Sequence, residues 1–300
     1  MSDKKQSWTT QKLLNWTTSH FEKNKIDCPR LSAELLLAHV LQTQRLKLYM
    51  EPERVANETE RADFRGLVER AVAHEPVDYL IGHTPFYSLT LKVSPHVLIP
   101  RPSTETLVQH VIEHSRRTVG FENHPYIADL CTGSGAIAIA LAKNIPGARI
   151  IATDLCPKAL EVAQLNAKDH GVLERIDFHL GDLYEPLPQG QRFSYVVANP
   201  PYISDKEWAE VLPNVKDYEP ELALRAPDEG LALIKKLVSR AKPYLAHPGQ
   251  LCIEISSTQK QAVLGLAESA GHLQDALVLN DHEGLPRILV ADSVATEIDL

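Results

Sequence analysis

Cysteine is scarce in this chain: four residues in 300, at Cys28, Cys131, Cys156 and Cys252, with no CxxC pair among them. That scatter excludes a zinc ribbon and a disulfide framework, so no metal site is expected and the thiols fit a reduced, cytoplasmic protein. No apolar run approaches the roughly 20 residues of a membrane span. The opening MSDKKQSW carries neither an apolar signal core nor an Arg-rich transit pattern. Positive charge is in deficit: 31 Lys and Arg stand against 39 Asp and Glu, a net charge of −8. Such a chain is a poor general binder of nucleic acid, because phosphate contacts need clustered Lys and Arg. Internal repeats and low-complexity tracts are missing too. What remains is 44% hydrophobic and 23% charged, the composition of an ordinary globular protein with one large or two ordinary domains.

The first eighty residues read as helix. TTQKLLNWTTSHFEKN opens on a Thr suited to an N-cap and places apolar residues at Leu13, Leu14, Trp16 and Phe21. PRLSAELLLAHVLQ has Pro29 at a first-turn position, and ETERADFRGLVERAVAHE sets Phe64, Leu67, Val68 and Val72 on one face. Residues 1–81 are therefore predicted to form a small helical bundle. The texture changes at Gly82. FYSLTLKVSPHVLIPRP alternates at Leu89, Leu91 and Val93 and then carries three prolines in eight residues, so residues 82–103 read as a hairpin and a stiff connection. From residue 104 onward strands and helices alternate. YIADLC, ARIIATDL, RIDFHLGDL, FSYVVANPP and QLCIEIS are the strands, which argues for a parallel, doubly wound sheet. LQDALVLND and PRILVAD close the chain with only a loop between them, an antiparallel hairpin at the sheet edge.

Chemistry concentrates where strands end. In ADLCTGSGAIAIA a strand stops at Asp129 and a helix starts at Gly135, with Gly133 and Gly135 letting backbone come close to a ligand. The stretch is neither GxGxxG nor a P-loop, and a plain tight turn explains it equally well. Asp154 ends the second strand, where an acidic residue can accept both hydroxyls of a ribose; the plainer reading is a cap for the helix near Pro157. Asp182 follows the third strand, where it could reach an adenine amino group with Leu183 against the ring; alone it is a turn residue. Three such signals after three consecutive strands imply an adenosine-containing cofactor without a diphosphate. The fourth strand ends in NPPY, residues 199–202. The Asn199 side-chain oxygen and the Pro200 carbonyl are both acceptors. Two prolines hold them rigidly, and Tyr202 offers a flat face, so the motif suits a planar –NH2 group better than a tetrahedral ammonium. The plainer reading is a rigid turn.

These motifs resemble the class I S-adenosylmethionine-dependent methyltransferases that act on planar nitrogens. EPVDYLIGHTPFYSLTLKVSPHVLIPRPSTETLV, VKDYEPELAL and CIEIS narrow the likeness. Over nearly its whole length the chain is similar to the protein N5-glutamine methyltransferases of the HemK/PrmC type, which modify the GGQ glutamine of peptide chain release factors. The resemblance implies an α/β class I methyltransferase sheet, mostly parallel with an antiparallel C-terminal hairpin, behind a small helical bundle. Residues 1–81 would dock the substrate, 82–103 would link, and 104–300 would carry S-adenosylmethionine and the catalytic site. It implies cofactor contacts from Asp129, Cys131, Thr132, Gly133, Ser134 and Gly135, from Asp154, Asp182 and Leu183, and from Phe86 and Asn199. Asn199, Pro200, Pro201 and Tyr202 would hold the glutamine, with Arg101 beside them and Asn199, Pro200 and Tyr202 serving catalysis. A cytoplasmic monomer acting on a release factor, with no nucleic-acid target and no membrane partner, is the expectation. A ribosomal-protein glutamine methyltransferase, a nucleic-acid amino methyltransferase and a cofactor-binding adaptor without catalysis are the rivals. The chain departs from the family's usual pattern at Ser103, where an acidic residue is common, at Ala226–Pro227, often Gly-Gly, and at Ser256, usually Gly.

Overall fold

The computed structural model describes residues 7–118 and 124–295. The outer ends of the predicted domains, 1–6 and 296–300, lie outside the described residues. The chain divides into two compact units: residues 1–83 with 212–218, and residues 84–211 with 219–300.

The first unit is helical. It holds α1 (Thr10–Lys23), α2 (Pro29–Val40), α3 (Arg45–Met50), α4 (Glu58–Val72) and α5 (Val77–Ile81). The Thr9 hydroxyl accepts from the Lys12 N–H at the start of α1, Pro29 sits in the first turn of α2, and Asn57 and Glu60 cap α4 reciprocally. The apolar stripes close on Leu14, Phe21, Leu36, Leu37, Phe64 and Val68. Helices α3 and α5 were not expected; at six and five residues they are too short to show a period. Glu34 is buried in α2 but not bare, since Arg30, Arg45 and the Tyr49 hydroxyl all donate to it.

A hairpin follows, β1 (His83–Phe86) and β2 (Leu89–Lys92). Its turn residues Tyr87 and Ser88 have φ of +46° and +63°. Two left-handed residues match the twist of paired strands, a position that usually takes Asn-Gly. Here Glu105 accepts the Tyr87 N–H at 2.7 Å and pins the turn. Next come α6 (Pro102–Arg117), β3 (Tyr126–Leu130), α7 (Ala136–Asn144), β4 (Arg149–Asp154), α8 (Pro157–Asp169), β5 (Ile176–Leu180) and β6 (Phe193–Ala198). Two short helices, α9 (Asp205–Trp208) and α10 (Pro213–Lys216), precede α11 (Ala232–Arg240), β7 (Leu245–Glu254), α12 (Lys260–Ser269), β8 (Leu273–Asn280) and β9 (Pro286–Ser293). Of these, α10 belongs to the helical unit, where the nearby Tyr218 hydroxyl donates to the Ala73 carbonyl at 2.7 Å.

Several elements differ from expectation; β7, for one, starts at Leu245 rather than at Gln250. Helix α6 begins at Pro102 rather than at 104, because proline's fixed φ suits the first helical position. Strand β5 stops at Leu180, short of Leu183, where left-handed Leu183 (φ +48°) has already turned the chain out of the sheet. Helix α12 was not expected; it turns Val263 and Ala267 inward around a central Gly265.

Seven strands form one sheet in the order β5-β4-β3-β6-β7-β9-β8. All pairs from β5 to β7 are parallel, and β9 runs antiparallel to both β7 and β8. Alternation along β3 sends Ile127 to the core shared with α6, α7 and α8, and Ala128 and Leu130 to the core shared with α11 and α12. The path from β5 to β6 crosses back past β3, so strand order reverses between β3 and β6. A crevice opens beyond the carboxyl ends of strands at such a switch point.

Candidate active site

The crevice is a cavity of about 990 Å³, part of it open solvent, walled by residues that follow β3, β4, β5 and β6, by His96, Leu98 and Pro100 of the proline-rich segment, and by Thr104 of α6. After β3, Cys131, Gly133 and Gly135 all have positive φ, at +62°, +56° and +81°. Gly135 is also tightly enclosed, since a Cβ there would lie 3.0 Å from Ile139 Cδ1 and 3.1 Å from Ala163 Cβ. A Cβ on Gly133 would meet no protein atom within 4 Å. Gly133 lines the cavity, so a ligand can lie directly against its backbone.

Asp154 lines the cavity and also braces this loop. Its Oδ2 accepts the Gly133 N–H at 2.8 Å and its Oδ1 accepts the Cys156 N–H at 2.9 Å. The N-cap of α8 is Cys156, so Asp154 is not the cap. Burial pushes its carboxyl up, and the backbone N–H groups of Cys156, Gly133 and Leu155 oppose that shift. Asn166, on α8, donates to the carbonyls of Ser134 at 2.9 Å and Lys92 at 3.0 Å, tying loop to hairpin. Asp129 is fully buried and does not reach the cavity wall. Its Oδ2 takes the Thr132 hydroxyl at 2.6 Å and the Ala138 N–H at 3.1 Å, while Oδ1 has no partner. Burial raises this carboxyl to about 7. It supports the loop from behind. After β5, Asp182 and Leu183 line the cavity, and the Thr153 hydroxyl holds the Leu183 carbonyl at 3.1 Å.

The NPPY stretch follows β6, and Asn199 and Pro201 join the wall. Asn199 Nδ2 donates to the Thr104 hydroxyl at 3.1 Å, while its Oδ1 is buried with no partner. An unpaired buried acceptor costs about 1–3 kcal/mol, which a donor brought into the site would relieve. Thr104 in turn donates to Glu254 Oε2 at 2.5 Å, and Glu254 Oε1 accepts from Ser103 at 3.1 Å and from Tyr202 at 3.2 Å. Burial pushes the Glu254 carboxyl up and these three hydroxyls pull it back. Burial, with Glu254 beside it, also pushes the Tyr202 phenol up, so it stays protonated and donates. The Tyr202 ring packs against the α11–α12 core and does not line the cavity.

Pro200 does not line the cavity either, and two further expected contacts lie elsewhere. Phe86 is 1% exposed, because β1 alternates and turns it into the core with Leu91 and Leu107. The Arg101 guanidinium is ion-paired to buried Glu219, which also accepts the Ile99 N–H at 3.1 Å. Glu219 thus clamps the proline-rich segment. The three departures are accommodated. Ser103 donates to Glu254. Ser256 has φ −66°, where a Cβ costs nothing, and its hydroxyl meets Thr258 at 3.0 Å. Ala226 is fully buried, its N–H on the Ile203 carbonyl at 2.9 Å.

Sequence reasoning missed Thr104, Asn166, Glu219, Gly230, Glu254 and Gln259. Glu254 had a signal, an acidic residue inside the apolar run LCIEI; a buried charge needs partners. The Gln259 amide donates to the Tyr202 carbonyl at 3.3 Å and the Glu229 carbonyl at 3.2 Å. Gly230 leaves no room for a side chain beside the same Tyr202 carbonyl. Among the described residues, no group of three or more His, Cys, Asp or Glu could hold a metal ion, and no helix is long and apolar enough to cross a membrane.

A family described as the PrmC N-terminal domain matches residues 12–82, and one described as a methyltransferase domain matches residues 127–218. A protein of Rhodopirellula baltica named release factor glutamine methyltransferase is 37% identical over 94% of this chain and 95% of its own length. One of Chlorobaculum tepidum with the same name is 40% identical over 93% of this chain and 96% of its own. Among solved structures, the hMettl16 catalytic domain in complex with MAT2A 3'UTR hairpin 1 has a TM-score of 0.55 at 14% identity, over 82% of this chain and 84% of its own. That likeness is one of fold.

Proposed function

The chain belongs to the release factor glutamine methyltransferase family, and from that premise we propose that it methylates the side-chain amide nitrogen of the GGQ glutamine in a peptide chain release factor, using S-adenosylmethionine. The observation that carries the reading is the buried, unpartnered Asn199 Oδ1 at the wall of a cavity that runs past Gly133, Asp154 and Leu183. Mass spectrometry of a release factor incubated with the protein and S-adenosylmethionine tests it. One added methyl on the GGQ glutamine is expected; an unmodified glutamine refutes it. A monomer in the cytoplasm, where release factors act, fits the reading.

The residues present suit this cofactor. The bare backbone at Gly133 admits its methionine part, Asp154 is an acceptor for ribose hydroxyls, and Asp182 with Leu183 suits adenine. When bound, S-adenosylmethionine supplies a methyl on an already activated sulfonium. An amide nitrogen is a poor nucleophile, so the protein's task is positioning, worth several of the roughly 7–11 kcal/mol available from orientation. Asn199 Oδ1 and the Pro200 carbonyl accept the two amide N–H groups and stabilise positive charge building on nitrogen. No strong base stands in NPPY, and Glu254 is occupied by three hydroxyls. The proton leaves to solvent. Asp154→Asn keeps the side-chain shape but removes the charge and turns one of the two acceptor oxygens into a donor, leaving one fewer acceptor for loop and ribose together. A hydrogen bond to a charged acceptor is worth about 1.5–3 kcal/mol, so the calorimetric Kd for S-adenosylmethionine should rise roughly ten- to hundredfold. An unchanged Kd would leave Asp154 a loop brace only.

One glutamine pocket cannot select among a cell's many glutamines, so selection needs a second surface. In this proposal the helical residues 1–81 dock the body of the release factor. The intact factor should then be methylated roughly 10²-fold more efficiently in kcat/KM than a short GGQ peptide, as a tethered site raises effective concentration. Equal efficiencies would reduce the helical unit to a structural cover.

A further inference from the structure

A primary amide has two ends of nearly the same size, an acceptor oxygen and a donor NH2. Turned round, Asn199 would present N–H groups to a substrate that itself brings N–H groups. Something must hold it in the acceptor orientation. Thr104 Oγ1 lies 3.1 Å from Asn199 Nδ2, and the hydroxyl has a single proton. That proton is committed to Glu254 Oε2 at 2.5 Å, so toward Asn199 the oxygen can only accept. Accepting requires the NH2 end, which leaves Oδ1 for the substrate side, and Oδ1 is the amide atom found without a partner. Glu254 is itself fully buried in β7 and faces two more hydroxyl donors, Ser103 and Tyr202. With three donors converging on it, an ionised Glu254 leaves no member of the network free to reverse its hydrogen bond.

We propose that Thr104 and Glu254 are positioning residues that fix the direction of the Asn199 amide, so that its oxygen and not its NH2 group meets the substrate amide. The inference rests on the assignment of NPPY as the amide clamp. It adds that the polarity of the clamp is set one step away, by a hydroxyl that relays the demand of a buried carboxylate. Neither residue needs to touch the reacting nitrogen.

Thr104→Val keeps the shape and removes the relay. With intact release factor as substrate, kcat should fall roughly ten- to hundredfold, the size of effect that misplacing a reacting group produces, while the calorimetric Kd for S-adenosylmethionine stays unchanged and so reports an intact fold. Thr104→Ser, which restores the hydroxyl, should recover kcat to within about threefold of the parent. Glu254→Gln replaces one acceptor by a donor, so at least one hydroxyl must turn round; it should also lose about tenfold or more in kcat. In an Asn199→Ala background, Thr104→Val should cost nothing further, since residues acting as a unit are not additive. Parent-like kcat in both T104V and E254Q, with N199A nearly inactive, overturns the relay and leaves the clamp standing. Parent-like kcat in N199A overturns the clamp, and the relay with it.

Discussion

Asn199→Ala should lose roughly 10²–10³-fold in kcat while binding S-adenosylmethionine as the parent does. The magnitude is that of removing one preorganised hydrogen-bonding partner from a site of developing charge. The variant should also melt no earlier than the parent. It gives up one hydrogen bond, to Thr104, worth about 1 kcal/mol. It also removes a buried acceptor that has no partner and that costs about 1–3 kcal/mol in the folded protein. Loss of turnover without loss of stability separates a residue kept for chemistry from one kept for packing. Turnover assays and a thermal melt on the same preparation check both halves. Turnover near that of the parent removes the role given to NPPY, and a fall in melting temperature would assign Asn199 to the architecture.

Gly230→Ala should be the most damaging single methyl in the catalytic unit. Gly230 has φ +79°, and an added Cβ would stand 2.0 Å from the Tyr202 carbonyl oxygen and 2.6 Å from Gln259 Nε2. A left-handed alanine costs roughly 1–2 kcal/mol, and forcing atoms into a filled site typically adds about 1–3. The melting temperature should drop by roughly 5–15 °C, given about 2–4 °C per kcal/mol for a unit of this size. Turnover should fall further than stability explains, because the atom displaced belongs to the backbone of NPPY. Gly190→Ala is the control. Its φ is a similar +76°, but its Cβ would meet nothing within 4 Å. It should show only the conformational cost. Equal effects at Gly190 and Gly230 would mean that the Tyr202 backbone yields freely.

The elements that build the site were legible because they repeat a simple pattern. Each of β3, β4 and β6 is a short apolar run that stops at a residue unsuited to a strand interior, so Asp129, Asp154 and Asn199 marked strand ends correctly to within a residue. What could not be read was which atoms those residues spend on each other. Asp154 fits a ribose acceptor from sequence, and nothing in sequence says that both oxygens already receive backbone N–H groups from Gly133 and Cys156. Thr104 and Glu254 lie 150 residues apart and meet only because α6 and β7 pack together. Phe86 differs in the opposite way. The resemblance places it at the pocket, while the alternation of its own strand turns it into the core. Short helices such as α3 and α5 escape because five or six residues hold too little of a 3.6-residue period to be recognised.

Residues 212–218 are counted with the helical unit, so the chain passes between units at 83/84, at 211/212 and again at 218/219. Three seams make the helical unit an unusual target for truncation. Excised as residues 1–83, it would lose a strip of its own packing, including the Tyr218 hydroxyl on Ala73. Shortened from the N-terminus, the protein would keep that strip with nothing to pair it. The two pieces are therefore complementary fragments rather than separable modules, and cutting the backbone at the first seam alone would leave one piece of the helical unit on each side of the break.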